Sequence, residues 1–176
     1  STINDKQRVA RLYQGEAFYE VQPHRGQPLE INAGLVTASV RDTAFAVRYL
    51  DGVTQVRVQR GDVDLRATRD DERVRLSAGE SIRIGPNGFD RPAKLDAATE
   101  LAWVQGRLVF ENCPLSQVLA ELRRYYPGWI INNNERLANV AVTGNYRLDQ
   151  PLDAVRSLAH ITSAKLQEFP ALVILN

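Results

Sequence analysis

Residues 40–65, VRDTAFAVRYLDGVTQVRVQRGDVDL, decide how the first half of the chain is read. Phe45, Val47 and Tyr49 alternate with Ala44, Ala46 and Arg48. After Asp51-Gly52, Val56 and Val58 alternate with Gln55, Arg57 and Gln59. After Arg60-Gly61-Asp62 come Val63 and Leu65. Each run has the period of two that marks a strand with one buried face. Each break carries a glycine able to take the positive φ of a tight turn. The stretch predicts a stack of consecutive hairpins, with no catalytic set among its side chains.

The pattern extends in both directions. GEAFYEV (15–21) sets Ala17, Tyr19 and Val21 against Glu16, Phe18 and Glu20, with Phe18 expected to be buried on the second side. LEINAGLVTASV (29–40) gives two short strands around Gly34, and residues 1–14 a helical or extended lead-in. VRLSAGESIRIGPNG (74–88) repeats the device, with a turn at Ala78-Gly79. Strands about ten residues apart predict an all-β unit over residues 1–90, a sandwich, barrel or short solenoid of hairpins. DRPAKLDAATELAWVQG (90–106) loses the alternation. Residues 91–106 are expected to be a linker with a short helical turn, and Trp103 the packing residue at the junction.

After Gly106 the period changes. RLVFENCPLSQVLAELRRYYPGWIIN (107–132) gives a strand, then Leu115, Val118, Leu119 and Leu122 on one helical face. Pro114 suits a first helical turn, and Pro127-Gly128 stops the helix before the strand WIIN. Residues 140–169 repeat this around Pro151, with Leu152, Val155, Leu158 and Ala159 as the helical face. The two Pro-Leu pairs lie 37 positions apart, which marks an internally duplicated β-α-β unit. Helices are expected over 114–126 and 151–162. They should face a shared sheet bearing Phe110, Ile131, Val142, Leu166 and Val173, and LVIL (172–175) closes as the last strand. The fold class is α+β, an all-β domain followed by a duplicated βαβ domain over 107–176.

Composition narrows the function. The 176 residues are 44% hydrophobic and 24% charged, with a net charge of +1. A nucleic-acid surface needs a strong basic excess. The richest basic stretch, 57–75, mixes its arginines with Asp62, Asp64, Asp70, Asp71 and Glu72, as a solvated strand face does. No apolar run approaches the ~20 residues of a membrane span. Methionine is absent, so a fragment or processed chain is expected. The only histidines, His24 and His160, lie far apart, and no metal-ligand spacing occurs. Cys113, alone and followed by proline, reads as a small buried thiol rather than a nucleophile. No phosphate loop is present, and no cofactor, metal site or enzyme activity is expected. Trp103, Trp129, Tyr125 and Tyr126 read as packing aromatics before they read as a ligand platform.

Six segments in order, GEAFYEV, VRDTAFAVRY, VRVQRGDVDL, VRLSAGESIRI, AWVQGRLVFENCPLSQVLAELRRYY and VTGNYRLDQPLDAVRSLA, resemble the periplasmic part of FecR-family regulators. The resemblance spans nearly the whole chain. It implies an inner-membrane anti-sigma regulator of iron-siderophore cell-surface signalling, located in the periplasm. Residues 107–175 resemble the secretin and TonB short N-terminal (STN) domain. The implied partner is the N-terminal signalling domain of a TonB-dependent outer-membrane receptor. A periplasmic protease would act on the intact protein. Sigma factor would bind only through cytoplasmic helices, which the family carries upstream of these residues together with a membrane helix. The family has Gly-Thr where this chain has Asp42-Thr43, a turn an aspartate in left-handed conformation could keep. The alternatives are a secretin-like assembly module, which would form large rings, and a carbohydrate-binding or hydrolytic β domain, for which no aromatic platform with paired carboxylates is found.

An open βαβ sheet offers edge strands to a partner chain. Residues 137–146, LANVAVTGNY, are the candidate edge, with Leu137, Val140, Val142 and Tyr146 as apolar contacts and Trp129 as the anchor.

Overall fold

The computed structural model describes residues 2–4, 9–22 and 28–176, so His24 lies outside the described residues. The chain forms two compact units, Ser1–Ala97 and Ala98–Asn176.

The first unit is built from two sheets around one core. One sheet holds β1 (Thr2–Asn4), β2 (Val9–Leu12), β4 (Leu29–Ala33), β5 (Val36–Val40), β8 (Asp62–Ala67) and β9 (Arg73–Ser77), in that order. The other holds β3 (Gly15–Val21), β6 (Thr43–Leu50), β7 (Val53–Arg60), β10 (Glu80–Gly85) and β11 (Gly88–Phe89), with β12 (Ala93–Lys94) also pairing β10. Within each sheet the strands succeed one another in chain order. The inner positions are those the alternation marked: Ile31, Val36, Phe45, Val47, Val56, Val58, Val63, Leu65, Leu76, Ile82 and Ile84 are all buried in one cluster. Burying each such side chain contributes about 1.5–3 kcal/mol before entropy is counted. Phe18 lies on the opposite face of β3, half-buried.

The connections correct the hairpin reading. β4–β5, β6–β7 and β8–β9 are antiparallel hairpins. The breaks at Arg41-Asp42, Gly61 and Ala78-Gly79 instead carry the chain from one sheet to the other. The first two crossings meet at one corner. Gly61 has φ 77°, and a Cβ there would strike the Asp42 carbonyl. Thr43 Oγ1 donates to Asp62 O at 2.9 Å, and Arg60 pairs with Asp42. Asp42 is not among the positive-φ residues. The turn at Asp42-Thr43 therefore keeps its course without the left-handed aspartate that the sequence suggested. Deeper in, Thr54 Oγ1 donates to Ala33 O at 3.0 Å, joining the sheets by a buried, satisfied hydroxyl.

In the second unit, α1 (Ala97–Glu100) begins at the boundary and a 3-10 turn follows at Ala102–Gln105. Trp103 packs against the core of this unit. β13 (Arg107–Pro114) pairs β15 (Ala141–Arg147) antiparallel, and β14 (Trp129–Asn132), β17 (Leu172–Leu175) and β16 (Leu166–Phe169) form a three-stranded sheet with β17 in the middle. The sheet expected to be shared is thus two sheets. α2 (Leu115–Arg123) and α3 (Pro151–Ile161) fill the core between them with Leu115, Val118, Leu119, Leu122, Val155, Leu158 and Ala159. The register of β14 is one residue off the expectation: Ile130 is buried and Ile131 is not.

Two changes test this packing. Leu119→Ala, at a site 1% exposed, is expected to cost about 2–5 kcal/mol by urea denaturation. Gly61→Ala is expected to lower the unfolding midpoint more than Gly79→Ala. Both positions have positive φ, but only Gly61 faces main chain where the methyl would sit. Equal losses would show that the corner contact is unimportant.

Candidate protein-docking face

The expected interaction residues separate into two places. Leu137 closes a 3-10 turn (Glu135–Leu137) and is buried; Val142, opposite Cys113 in β15, is 1% exposed. Neither side chain can meet a partner while the unit is folded, so both are corrected to core positions. Tyr146 is half-buried, its ring 6.3 Å from that of Phe110. Burial pushes its phenol above the usual range, offset in part by a hydrogen bond with Ser157. The segment 137–146 is also engaged through its main chain. Ala138 O and Val140 O accept from the amides of Ser116 and Leu115, satisfying the start of α2. Val140 keeps an exposed side chain at the margin.

Trp129 is different. It is 74% exposed and starts β14, an edge strand of the three-stranded sheet. Its register partner is Leu172 on β17, whose partner on β16 is Phe169, 52% exposed. In the next row Ile131, 40% exposed, lies beside Ile174 and Gln167. Register partners share a face of the sheet. Five apolar side chains therefore form two rows on the outer face, while Ile130, Val173 and Leu175 of the same strands are buried against the helices. A contiguous exposed apolar face of this kind marks a candidate interaction surface.

Local chemistry holds this face in place. A Cβ at Gly128 would collide with Ala171 main chain, and Trp129 N donates to Ala171 O at 2.9 Å. Only glycine lets the chain leave α2 and pass so closely beside the turn into β17. Arg123 Nε donates to Ile130 O at 2.9 Å, bringing a cation to the β14 backbone. At the other edge Arg156 on α3 joins Glu168 at 2.8 Å and Asp153 at 3.0 Å, and the Glu168 hydrogen bond is the main cause of its raised pKa. Trp129 was the candidate anchor from the sequence; Phe169, Leu172 and Ile174, which strand pairing places in its two rows, carried no signal there.

The outer face of the first unit's β4–β5–β8–β9 strands is the contrasting surface. Small Thr37 and Ser39 floor an open trough of about 500 Å³ walled by Glu30, Asp64, Arg66 and Arg73. Charged side chains wall it, Leu65 and Val74 also line it, and Arg75 joins Asp62 at 3.0 Å. Cys113 is half-buried, its thiol pushed up by burial first and by Glu121 second, which does not favour a thiolate. Among the described residues no group of three or more His, Cys, Asp or Glu is placed to hold a metal ion, and no helix is long and apolar enough to cross a membrane.

The family model described as FecR protein matches residues 1–64, and that described as FecR, C-terminal, matches 107–165. The chain belongs to the FecR family. The second match begins at the residue where the hydrophobic period changes. FecR-family membership makes the chain part of a signalling regulator. Two crystal structures of a candidate anti-sigma factor from Parabacteroides distasonis share its fold. One has a TM-score of 0.74 at 22% identity over 96% of this chain and 81% of the other, and the second 0.73 at 23% over 96% and 80%. No curated protein matches the chain.

The Asp62 carboxyl is held below the usual carboxylate range, chiefly by the hydrogen bond from Arg75 and then by one from Ser77. A depressed folded-state pKa means the pair's contribution is present above the unfolded value, near 3.9, and is lost as pH falls through the folded one. Arg75→Gln is expected to move the Asp62 titration upward by carboxyl NMR. An unmoved titration would show that Arg75 does not set it.

Proposed function

We propose that the chain is the periplasmic signal-receiving region of an inner-membrane anti-sigma regulator. In this reading its second unit is STN-like and binds the N-terminal signalling domain of a TonB-dependent siderophore receptor. The observation that carries the reading is the exposed double row Trp129–Leu172–Phe169 and Ile131–Ile174 on an open sheet. Trp is favoured at the centre of binding hot spots, and an apolar face with a polar margin is the usual anatomy of a docking site. Trp129 serves as anchor, and Val140 and Tyr146 are at most marginal.

Receptor binding would act by shifting the population of the regulator's periplasmic states. A periplasmic protease would then cut the state so favoured, releasing sigma factor through the regulator's cytoplasmic part. The first unit has no chemical step in this scheme. It supplies a stiff two-sheet body whose strands succeed one another in chain order.

Isothermal titration of the full chain with purified signalling domains of TonB-dependent receptors from the same genome tests the reading. One domain should bind, and Trp129→Ala should weaken it about tenfold or more, the size of a hot-spot loss. Tyr13→Ala, at an exposed aromatic of the first unit, should leave it unchanged. Binding that survives both Trp129→Ala and Phe169→Ala would remove this face from the interface.

A further inference from the structure

Strand β10 of the first unit has β7 along one side, in register from Ser81↔Arg57 to Ile84↔Thr54. Its other side is covered by the chain that returns from it. Gly88 and Phe89 pair with Gly85 and Ile84. Asp90 N donates to Arg83 O at 2.9 Å, Ala93 and Lys94 pair with Ser81 and Glu80, and Leu95 N donates to Gly79 O at 2.8 Å. This return is the stretch by which the chain passes from the first unit to the second.

Its two ends are fixed unequally. At the start, Phe89 packs against the main core and Arg69 donates to Pro86 O at 2.9 Å. Residues 90–94 are all exposed. Arg91 and Pro92 both fall opposite Ile82, so the ladder is interrupted by an extra residue, and the proline has no amide to give it. Beyond the break, a few main-chain bonds and one buried side chain, Leu95, keep the segment in place. Leu95 is not part of the main core cluster. Few buried apolar contacts and solvent-exposed backbone bonds are the marks of a segment that opens below the global unfolding free energy.

We propose that residues 90–95 form a displaceable strap on β10, hinged at Phe89 and latched by Leu95. Its release uncovers the last full strand of its sheet while the sandwich stays folded. The carbonyls of Gly79 and Arg83 then lose their strap donors, and β10 becomes an open edge of the kind that accepts an extended segment through main-chain pairing. The strap thus couples any displacement of the connecting chain to the exposure of a new edge. The inference does not depend on which protein the second unit binds.

Amide hydrogen exchange by NMR on the full chain tests it. The Leu95 amide should exchange at least about tenfold faster than the amides of Val56 and Ile82, because local opening needs less free energy than global unfolding. In a Cys113→Ser background, Glu80→Cys with Lys94→Cys joins a directly opposed pair. Opposed cross-strand Cα atoms are about 4.5–5.5 Å apart, within disulfide reach. The oxidised form should slow Leu95 exchange to the rate of Ile82, and reduction should restore it. Leu95→Ala should speed exchange of the Ala93 amide and leave that of Val56 unchanged. A wild-type Leu95 amide as protected as Ile82, or fast exchange that the disulfide does not slow, would overturn the strap.

Discussion

A side chain at position 61 would begin where the carbonyl of Asp42 lies, and the two-sheet body of the first unit depends on that close approach. The strand pattern alone allows a single long meander. What converts it into two facing sheets is the corner where the β5–β6 and β7–β8 crossings touch, with Thr43 bonded to Asp62 and Arg60 paired with Asp42. A residue with Cβ would have to push one crossing away from the other. The inner faces of both sheets, from Ile31 to Ile84, would then close less tightly on one core.

The second unit solves a different problem with the same economy. Its three-stranded sheet buries one face against α2 and α3 and leaves the other open. Both faces of β14 and β17 carry apolar residues: Ile130, Val173 and Leu175 are buried in the unit's core, while Trp129, Ile131, Leu172 and Ile174 lie on the outer face. Gly128 fixes where that surface stands by letting β14 lie against Ala171. Fold and candidate face thus meet at one residue step: the glycine that ends the helix connection also sets the position of the tryptophan.

Most of the fold was legible in the sequence because alternation and helical period are direct consequences of one-sided burial. Phe45, Val47, Val56 and Val58 announced their face, as did Leu115, Val118, Leu119 and Leu122. What stayed hidden has physical reasons. A glycine turn looks the same whether it closes a hairpin, as at Gly52, or crosses between sheets, as at Gly61. WIIN and LVIL are apolar on both faces, so no alternation distinguishes Ile130 from Ile131 or Val173 from Ile174. Phe169 lies beside Trp129's row only through β17, a neighbourhood that strand pairing creates and sequence distance conceals. Leu137 and Val142 are buried although the sequence offers them as contacts, because an apolar stretch between two helices is core or edge depending on a topology the sequence does not state.

The central claim is that the outer face of the β14–β17–β16 sheet receives the signalling partner. The most direct measurement is an NMR titration of the isotopically labelled full chain with the receptor signalling domain. The account predicts shifts at the Trp129 indole N–H and at the side chains of Ile131, Leu172, Ile174 and Phe169, with the trough around Thr37 and Ser39 unmoved. Shifts confined to the first unit, with the Trp129 indole unperturbed at saturation, would contradict it.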